Sequence, residues 1–222
     1  HMEKDKAGVS FLDVSTGEFL AAEGSWDYVN KLLQSFSPSE VIYQKQHKAA
    51  FSKRFSDAYF TFTLEDWVFT KTYTEDLLLK HFGTKSLKGY GVDKLDLGII
   101  AAGAALHYLN ETQHNKVSHI STINRIEEEN YVWMDNFTIR NLELTQSTGI
   151  KGVSLLDILD HTTSPMGARM LRRWIVLPLK EQKAIQNRLN IVAHFCDHSE
   201  TAYELCTQIK QMGDLERLIS KV

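Results

Sequence analysis

The sequence has almost no cysteine and no long apolar segment, and these two absences exclude several classes of protein. Its only cysteines are Cys196 and Cys206, a spacing that matches neither a disulfide framework nor a zinc site. The longest mostly apolar run, LGIIAAGAALHYL, is too short to span a bilayer, and no charged-then-apolar leader opens the chain. We therefore expect a cytoplasmic protein from a reducing compartment, with no membrane partner.

The chain also has no excess of positive charge. Its formal net charge is −3, which argues against a protein that holds DNA by bulk electrostatics, because phosphate neutralisation needs a basic face. The arginines are nevertheless unevenly distributed: Arg54 is the only one up to Gln113, and the others follow it. These are Arg125, Arg140, Arg169, Arg172, Arg173, Arg188 and Arg217. Because arginine forms fixed and often bidentate pairs, we expect a second domain built on specific ion pairs.

The first part of the chain alternates strand-like and helix-like periods. VSFLDVSTGEFLAAE predicts a hairpin with its turn at Ser15, Thr16 and Gly17. SWDYVNKLLQSF predicts an amphipathic helix behind a Ser25 cap. A strand SEVIYQ, a helix KAAFSKRFS, a buried strand YFTFTLE and a helix TEDLLLKHF capped by Thr74 follow. This interleaving predicts an α/β layer fold with a mixed sheet.

From Leu95 onward the pattern is mostly helical. LDLGIIAAGAALHYLNETQ predicts a helix that connects the two parts, with small residues where another helix could approach closely. NYVWMDNFTIRNLELTQ is the exception, and its apolar character predicts an extended segment. Further helical segments follow, the last being GDLERLISKV with Asp214 as its cap. We expect that helix to continue in a longer protein. We also expect His1 and Met2 not to belong to the natural sequence of that protein.

The segment DHTTSPMGARMLRRWIVLPL, residues 160–179, carries the most specific pattern of the second part. Ser164 is predicted to cap a helix with Pro165 at its first position, and Pro178 prevents that helix from continuing. Gly167 falls on the apolar half, where a missing Cβ lets a neighbouring helix come close. Three arginines share the opposite half of the helix. They are Arg169, Arg172 and Arg173. The segment therefore predicts a tightly packed helical hairpin with an arginine face.

Several stretches resemble the MutS family of DNA mismatch repair proteins. TIRNLEL at 138–144, followed by SLLDILDHTTSPMGARMLRRWIVLPL and IQNRLNIV, resembles the start of that family's core (lever) domain. AGVSFLDVSTGEF at 7–19 resembles the opening strands of its connector domain, and AAGAALHYLNETQ lies between them in the family's order. The resemblance implies a connector domain over residues 3–114, ending in a linking helix. A truncated first part of the core would occupy residues 115–222.

The resemblance also implies which parts of such a protein this sequence does not carry. In the family an N-terminal domain reads the mismatch with an inserted phenylalanine, and a C-terminal ATPase dimerises. The sequence has neither a Phe-x-Glu wedge nor a P-loop pattern. The implied fold is thus a ribonuclease H-like α/β connector followed by a mostly α-helical core. It would hold no catalytic, cofactor-binding or metal-binding residue, and ATP and magnesium would bind to the absent ATPase.

The function implied by the resemblance is mechanical and allosteric. Connector and core would couple mismatch recognition to the ATPase and the clamp, and would offer a docking surface to MutL. The other partners would be the remaining domains of the same chain, a second MutS subunit, and duplex DNA bound mainly by absent domains. Gly167 and Trp174 would fix the spacing of helices. The arginine face beside Pro178 would pair across helices or domains, at an interface with two arrangements.

A further polar set lies in the apolar run that is predicted to be extended. Polar side chains there are suited to tying the strand to its neighbours. The set consists of Arg140, Asn141 and Glu143.

Two other functions stay open from the sequence. Ribonuclease H-like folds often hydrolyse phosphodiesters with two metal ions, and Asp13 lies in the first strand, where a metal-binding carboxylate is commonly found. A structural Asp13 would instead contribute to stability near the turn residue Gly17. Its possible metal-binding partners stand in turns or at helix starts, where a cap or a solvated charge explains them. These partners are Glu18, Glu40, Asp66 and Asp76. The second alternative is a plain duplex-DNA-binding module that contacts phosphates through its arginines.

Overall fold

The protein packs as two compact units, which span His1–Ile126 and Glu127–Val222. The computed structural model describes residues 1–55, 59–112, 117–127, 130–149 and 151–219. The predicted domain boundary between residues 114 and 115 lies outside the described residues and stays a prediction. None of the helices in the described ranges has both the length and the apolar character that crossing a bilayer requires.

An antiparallel hairpin forms the centre of the first unit. Strand β1 (Lys6–Asp13) pairs with β2 (Glu18–Ser25) along the full length of both strands. At the tip Gly17 has φ 73°, a left-handed conformation that glycine adopts without a steric penalty. The Gly17 N–H donates to the Asp13 carbonyl at 2.8 Å and closes the turn. The predicted hairpin is confirmed.

Three further strands of this unit lie within the described residues. They are β3 (Val41–Gln44), β4 (Thr61–Leu64) and β5 (Asn124–Arg125). β5 pairs with β2 in parallel, so the first sheet is mixed and has the order β1-β2-β5. β3 and β4 pair in parallel as a second sheet. The α/β architecture with a mixed sheet agrees with the prediction, although the strands are divided between two sheets.

The strand YFTFTLE was expected to be buried, and this expectation is wrong. Phe60 is 75% exposed and Phe62 is 45% exposed, whereas Leu64 is buried. Leu64 packs with Val68 and Ile100, which places only the end of the strand in the core. An apolar run of this length cannot show from its letters alone which of its residues reach the core.

Four α-helices of the described ranges belong to the same unit. They are α1 (Trp26–Phe36), α2 (Lys48–Phe55), α3 (Lys71–Phe82) and α4 (Asp96–Thr112), with short 3-10 helices at Lys45–His47, Asp66–Phe69 and Leu87–Tyr90. Ser25 caps α1 as predicted, because its Oγ accepts a hydrogen bond from the Tyr28 N–H at 3.2 Å. The predicted Thr74 cap is wrong: the N-cap of α3 is Thr70. Thr74 lies buried inside the helix, and its hydroxyl donates to the Thr70 carbonyl at 2.9 Å.

Helices α1 and α4 cover opposite faces of the hairpin. A Cβ added at Gly8 would meet the Leu97 carbonyl oxygen of α4 at 2.0 Å, and one added at Gly24 would meet the Tyr28 ring of α1 at 2.6 Å. Gly24 is paired with Ala7, the neighbour of Gly8, and neighbouring residues on a strand point to opposite faces. The first unit is therefore layered as helix, sheet and helix.

Helix α4 lies at the centre of the core of the first unit, and its predicted role as the helix that links the two parts stays a prediction. Leu106 is fully buried in a cluster that draws residues from the hairpin, α3, α4 and the segment before β5. The Glu23 carboxylate of β2 accepts a hydrogen bond from the Leu97 N–H at 2.8 Å, which satisfies a free donor in the first turn of α4. Its small residues serve the approach of α3, since a Cβ at Gly103 would lie 2.3 Å from the Thr74 Cβ.

The second unit is helical over most of its described length. Its helices are α5 (Asn136–Asn141), α6 (Leu155–Leu159), α7 (Pro165–Val176), α8 (Gln182–Asp197), α9 (Ser199–Met212) and α10 (Leu215–Ile219). The predicted extended segment is extended only at its start, where Tyr131 bridges Leu179. Its middle forms α5, because the Asp135 carboxylate accepts a hydrogen bond from the Thr138 N–H at 2.7 Å and caps a helix.

Candidate domain interface in the helical unit

Helix α7 begins and ends where the sequence predicts. The Ser164 Oγ accepts a hydrogen bond from the Gly167 N–H at 3.2 Å, and Pro165 occupies the first turn, where its missing N–H has no cost. The helix ends at Val176, two residues before Pro178. The Pro178 carbonyl accepts a hydrogen bond from the Val132 N–H at 2.8 Å, so the turn after α7 is held by the start of the unit.

The guanidinium of Arg169 joins α7 to the start of α10. Its two terminal nitrogens donate to the two carboxylate oxygens of Asp214 at 2.8 and 2.9 Å, a bidentate pair. Its Nε also donates to the Glu216 carboxylate at 3.1 Å. We call this set of Arg169, Asp214 and Glu216 the Arg169 clamp. It fixes two elements that lie far apart in the sequence.

Arg169 and Asp214 are both charged at neutral pH. The hydrogen bond from Arg169 lowers the pKa of Asp214 from 3.8 to about 2. In turn, the hydrogen bond to Asp214 raises the pKa of the Arg169 guanidinium. Because the pKa of Asp214 is depressed in the folded state, its stabilising contribution is present above pH 3.8 and is lost as the pH falls toward 2.

The other two arginines of this face differ from Arg169 in their exposure and contacts. Arg172 is exposed, and no hydrogen bond or ion pair links its guanidinium to another residue in the described part of the chain. Arg173 is half-buried. The structure therefore engages Arg169 within the unit and leaves the positive charge of Arg172 on the surface.

Trp174 connects α7 with α8 through a cation–π contact. The guanidinium carbon of Arg188 lies 3.8 Å from the centre of the Trp174 ring. Trp174 itself is 40% exposed. The predicted role of this ring in setting helix spacing stays a prediction. The contact described here is with the guanidinium of Arg188.

Gly167 lies against the segment that leads into α7, and its predicted role in helix spacing stays a prediction. A Cβ at this position would have as its nearest neighbours the Ser164 Oγ at 3.3 Å and the Thr162 Cβ at 3.4 Å. Both belong to the segment that leads into α7. Gly167 makes room for the capping turn.

The polar set of Arg140, Asn141 and Glu143 does not tie a strand to its neighbours, which corrects that prediction. Arg140 and Asn141 are exposed at the end of α5. Glu143 follows in a left-handed turn with φ 49°, and its carboxylate accepts hydrogen bonds from the Thr148 N–H at 2.8 Å and from the Thr148 hydroxyl. The hydrogen bond from the Thr148 side chain lowers the pKa of Glu143. Its carbonyl accepts a hydrogen bond from the Leu155 N–H at 2.9 Å, which fixes the start of α6.

The carboxylate of Asp13 is engaged in the hairpin turn. It accepts hydrogen bonds from the Ser15 N–H at 2.8 Å and from the Ser15 hydroxyl at 2.7 Å. Two of its proposed metal-binding partners are also engaged, Glu40 by the Tyr108 hydroxyl at 3.0 Å and Asp66 by the Gln46 N–H at 3.3 Å. In the ranges that the structure covers, no three His, Cys, Asp or Glu residues are placed to hold a metal ion together.

Large apolar side chains of the helical unit stay uncovered. Leu189 is 54% exposed and Tyr203 is 76% exposed, although both lie on amphipathic helices. The same holds for other residues of α7 to α10. These are Met170, Ile185, Ile191, Val192, Leu205, Met212, Leu215, Leu218 and Ile219. We call these side chains, with Leu189 and Tyr203, the open apolar faces. Exposed apolar area of this extent marks surfaces that bind other protein.

Sequence patterns found the ends of α7 but not the contacts made by its side chains. Asp214 was predicted only as a helix cap, and its carboxylate does accept a hydrogen bond from the Arg217 N–H at 3.4 Å. Its bidentate pair with Arg169 was missed, because no spacing rule links residues on separate helices. A surplus of arginine was the one signal that pointed to such a pair.

Comparisons with known proteins divide the chain in a similar way. The family model "MutS domain II" matches residues 1–121, and "MutS domain III" matches residues 137–222. The DNA mismatch repair protein MutS of Cytophaga hutchinsonii is 56% identical over 222 residues, which are 100% of this chain and 26% of that protein. The MutS protein of Flavobacterium psychrophilum is 58% identical over 215 residues, which are 97% of this chain and 25% of that protein. The chain thus spans about a quarter of the length of these curated relatives.

Proposed function

The chain belongs to the MutS family of DNA mismatch repair proteins, and we propose that it serves there as a non-catalytic scaffold. Its two units correspond to the connector and to the first part of the core. In the full-length protein they would couple mismatch recognition to the ATPase and to the DNA clamp. The ATPase, with its ATP and magnesium, would belong to other domains of the same protein.

One observation carries this proposal: the helical unit holds its helices together with the Arg169 clamp and yet leaves its apolar faces open. A unit that only had to be stable would bury Leu189 and Tyr203, because each buried apolar side chain contributes about 1.5–3 kcal/mol. Uncovered faces beside a charged clamp are suited to contact with further domains of the same chain. Such a unit can pass a rotation from one neighbour to another if the contact has two arrangements.

The first unit supports the connector part of the proposal. Its hairpin, with α1 and α4 on opposite faces, is compatible with a ribonuclease H-like layer fold. We propose that this unit offers the docking surface for MutL. A second MutS subunit and duplex DNA would be bound mainly by other domains, and the protein would act in the cytoplasm.

Charge reversal at Arg172 tests the coupling role. We expect Arg172→Glu in the full-length protein to change ATP-dependent release from mismatched DNA, because Arg172 offers an unpaired surface charge beside the Arg169 clamp. Residues on a coupling route change the coupling by about 0.5–2 kcal/mol, so the release rate should change roughly 2- to 30-fold. The rate of ATP-induced dissociation from a labelled G·T duplex measures it directly.

Lys183→Glu provides the matched control, since it reverses one exposed charge on α8, outside the arginine face. Arg172→Lys keeps the charge and should retain normal release. The coupling role is wrong if Arg172→Glu and Lys183→Glu release DNA at the same rate as the unmodified protein.

A further inference from the structure

Strand β4 pairs with β3 on one side and leaves its other edge open. The two strands are parallel, and no strand in the described ranges pairs with the far edge of β4. The Phe60 carbonyl accepts a hydrogen bond from the Val41 N–H at 2.8 Å, so the backbone of Phe60 faces β3. Because alternate residues of a strand direct their backbone groups to the same edge, Phe62 also faces β3, whereas Thr61 and Thr63 face the open edge. An open edge is a template for one more strand.

Exposed aromatic side chains lie beside this edge. Phe60 and Phe62 point to the same face of β4, and both are exposed. The centre of the Phe62 ring lies 5.1 Å from that of Tyr108 on α4. Trp67 is 55% exposed, and its ring centre lies 5.0 Å from that of Tyr73 on α3. Tyr73 and Tyr108 pack against the same core cluster, which joins the rings into one surface. We call these five residues the aromatic surface.

Two carboxylates border the aromatic surface. The Glu40 carboxylate accepts a hydrogen bond from the Tyr108 hydroxyl at 3.0 Å. The Glu111 carboxylate lies 3.4 Å from the Nε2 atom of His107, whose ring contacts that of Trp67 edge to face. Within the described residues, no lysine or arginine forms an ion pair with Glu40 or Glu111. The border of the surface is therefore negatively charged.

The lysines of the neighbouring segments do not neutralise this border. Lys45 forms an ion pair with Glu65 at 2.8 Å, and Lys71 forms one with Asp96 at 2.5 Å. Each lysine is thus matched by a carboxylate of its own. A surface that combines exposed rings with unbalanced negative charge favours a partner with positive charge, because interfaces are electrostatically complementary and cations are attracted to aromatic faces.

We infer that β4 and the aromatic surface form a docking site for an extended, basic segment of a partner protein. The segment adds a strand along the open edge of Thr61–Leu64. Its cationic side chains contact the Phe62 and Trp67 rings and lie near the carboxylates of Glu40 and Glu111. This inference goes beyond the proposed coupling role, since it specifies the chemistry of a partner and does not require that the partner be MutL.

Binding of a defined peptide tests the charge and the aromatic contacts. The probe is a fluorescein-labelled hexapeptide of alternating arginine and valine, and the matched control peptide has glutamate in place of each arginine. We expect the arginine peptide to bind this 222-residue chain roughly tenfold or more tightly than the glutamate peptide, as measured by fluorescence anisotropy. Equal affinities of the two peptides would overturn the inference.

A pair of truncations locates the binding on the aromatic surface. Trp67→Ala should weaken binding of the arginine peptide roughly 5- to 30-fold, because aromatic anchors dominate the energy of protein interfaces. Phe137→Ala removes an exposed ring from the helical unit and should leave the affinity unchanged. The inference is wrong if both variants bind the arginine peptide as the unmodified chain does.

Hydrogen exchange shows whether the peptide occupies the open edge. At saturating arginine peptide, the Thr61 and Thr63 amides should exchange roughly tenfold or more slowly, because a paired amide must open before it exchanges. The Phe62 and Leu64 amides point toward β3 and provide the internal control, with equal rates in both conditions. Methylating every backbone nitrogen of the peptide removes its donors and should abolish the added protection.

Two results of the exchange experiment would overturn the inference. One is an unchanged rate at Thr61 and Thr63 with saturating peptide. The other is protection of these amides that rises with the concentration of the chain alone, which would assign the edge to a second copy. None of these readouts involves ATP or release from DNA, so they can fail or succeed independently of the coupling role tested by Arg172→Glu.

Discussion

Replacing Leu106 by alanine is expected to destabilise the first unit by about 3 kcal/mol, within the 2–5 kcal/mol range of buried leucine truncations. Leu106 is fully buried at the centre of α4 and shares its cluster with Phe19, Leu78 and Ile120. These neighbours come from separate elements that cannot all move into the space left by the side chain. Urea unfolding followed by circular dichroism measures the loss.

Two controls define the size of that effect. Leu106→Met conserves the volume and should cost less than about 1.5 kcal/mol. Leu189→Ala removes the same atoms from a side chain that is 54% exposed, and the change should stay within about 0.5 kcal/mol. Equal losses at Leu106 and Leu189 would contradict the placement of the core around α4.

Gly103→Ala is expected to destabilise the same unit, although alanine favours helices. The added methyl group would lie 2.3 Å from the Cβ and 2.7 Å from the Cα of Thr74. Helix propensity contributes a gain of about 1 kcal/mol, whereas forcing α3 and α4 apart costs about 1–3 kcal/mol or more. Because the clash involves backbone as well as side-chain atoms, the cost should exceed the gain. The measurement is the free energy of unfolding in urea.

A glycine in open space, Gly89 of the 3-10 helix Leu87–Tyr90, provides the control for the clash. A Cβ at Gly89 would meet no atom within 4 Å, so Gly89→Ala should leave the stability nearly unchanged. The double variant with Thr74→Gly should recover part of the loss, since it removes the nearest atom. Equal free energies of unfolding for Gly103→Ala and Gly89→Ala would contradict the close packing of α3 on α4.

Local signals predicted the elements whose causes lie within a few residues. The hairpin follows from Gly17 in its turn, and the start of α7 from Ser164 and Pro165. In each case the deciding hydrogen bond or backbone angle belongs to neighbours in the chain. Predictions of this kind depend on turn and cap chemistry and need no knowledge of the rest of the fold.

Errors arose where tertiary contacts decide the outcome. Threonine is a common N-cap residue, but Thr74 lies one turn inside α3, where it packs against Gly103 of α4. The error after Asp135 has a different origin, because its cause is local: the side chain of Asp135 caps a helix. The strand-like residues that follow Asp135 outweighed this cap in the prediction.

The candidate interface was predictable only in part. The surplus of arginine after Gln113 indicated ion pairs, and Arg169 forms two. Its partner Asp214 directly precedes α10 and its partner Glu216 lies on α10. No sequence spacing links either residue to α7. Likewise, the helical periods predicted apolar faces but could not show that Leu189 and Tyr203 stay exposed.

The measurement that tests the central claim most directly is a fluorescence anisotropy titration of this chain with DNA. The chain would be titrated against a labelled duplex with one G·T mismatch and against the matched duplex, at moderate salt with magnesium present. A scaffold that transmits a signal without reading the mismatch predicts weak, equal and salt-sensitive binding to both duplexes. A clear preference for the mismatched duplex would place the recognition element within these residues and contradict the account.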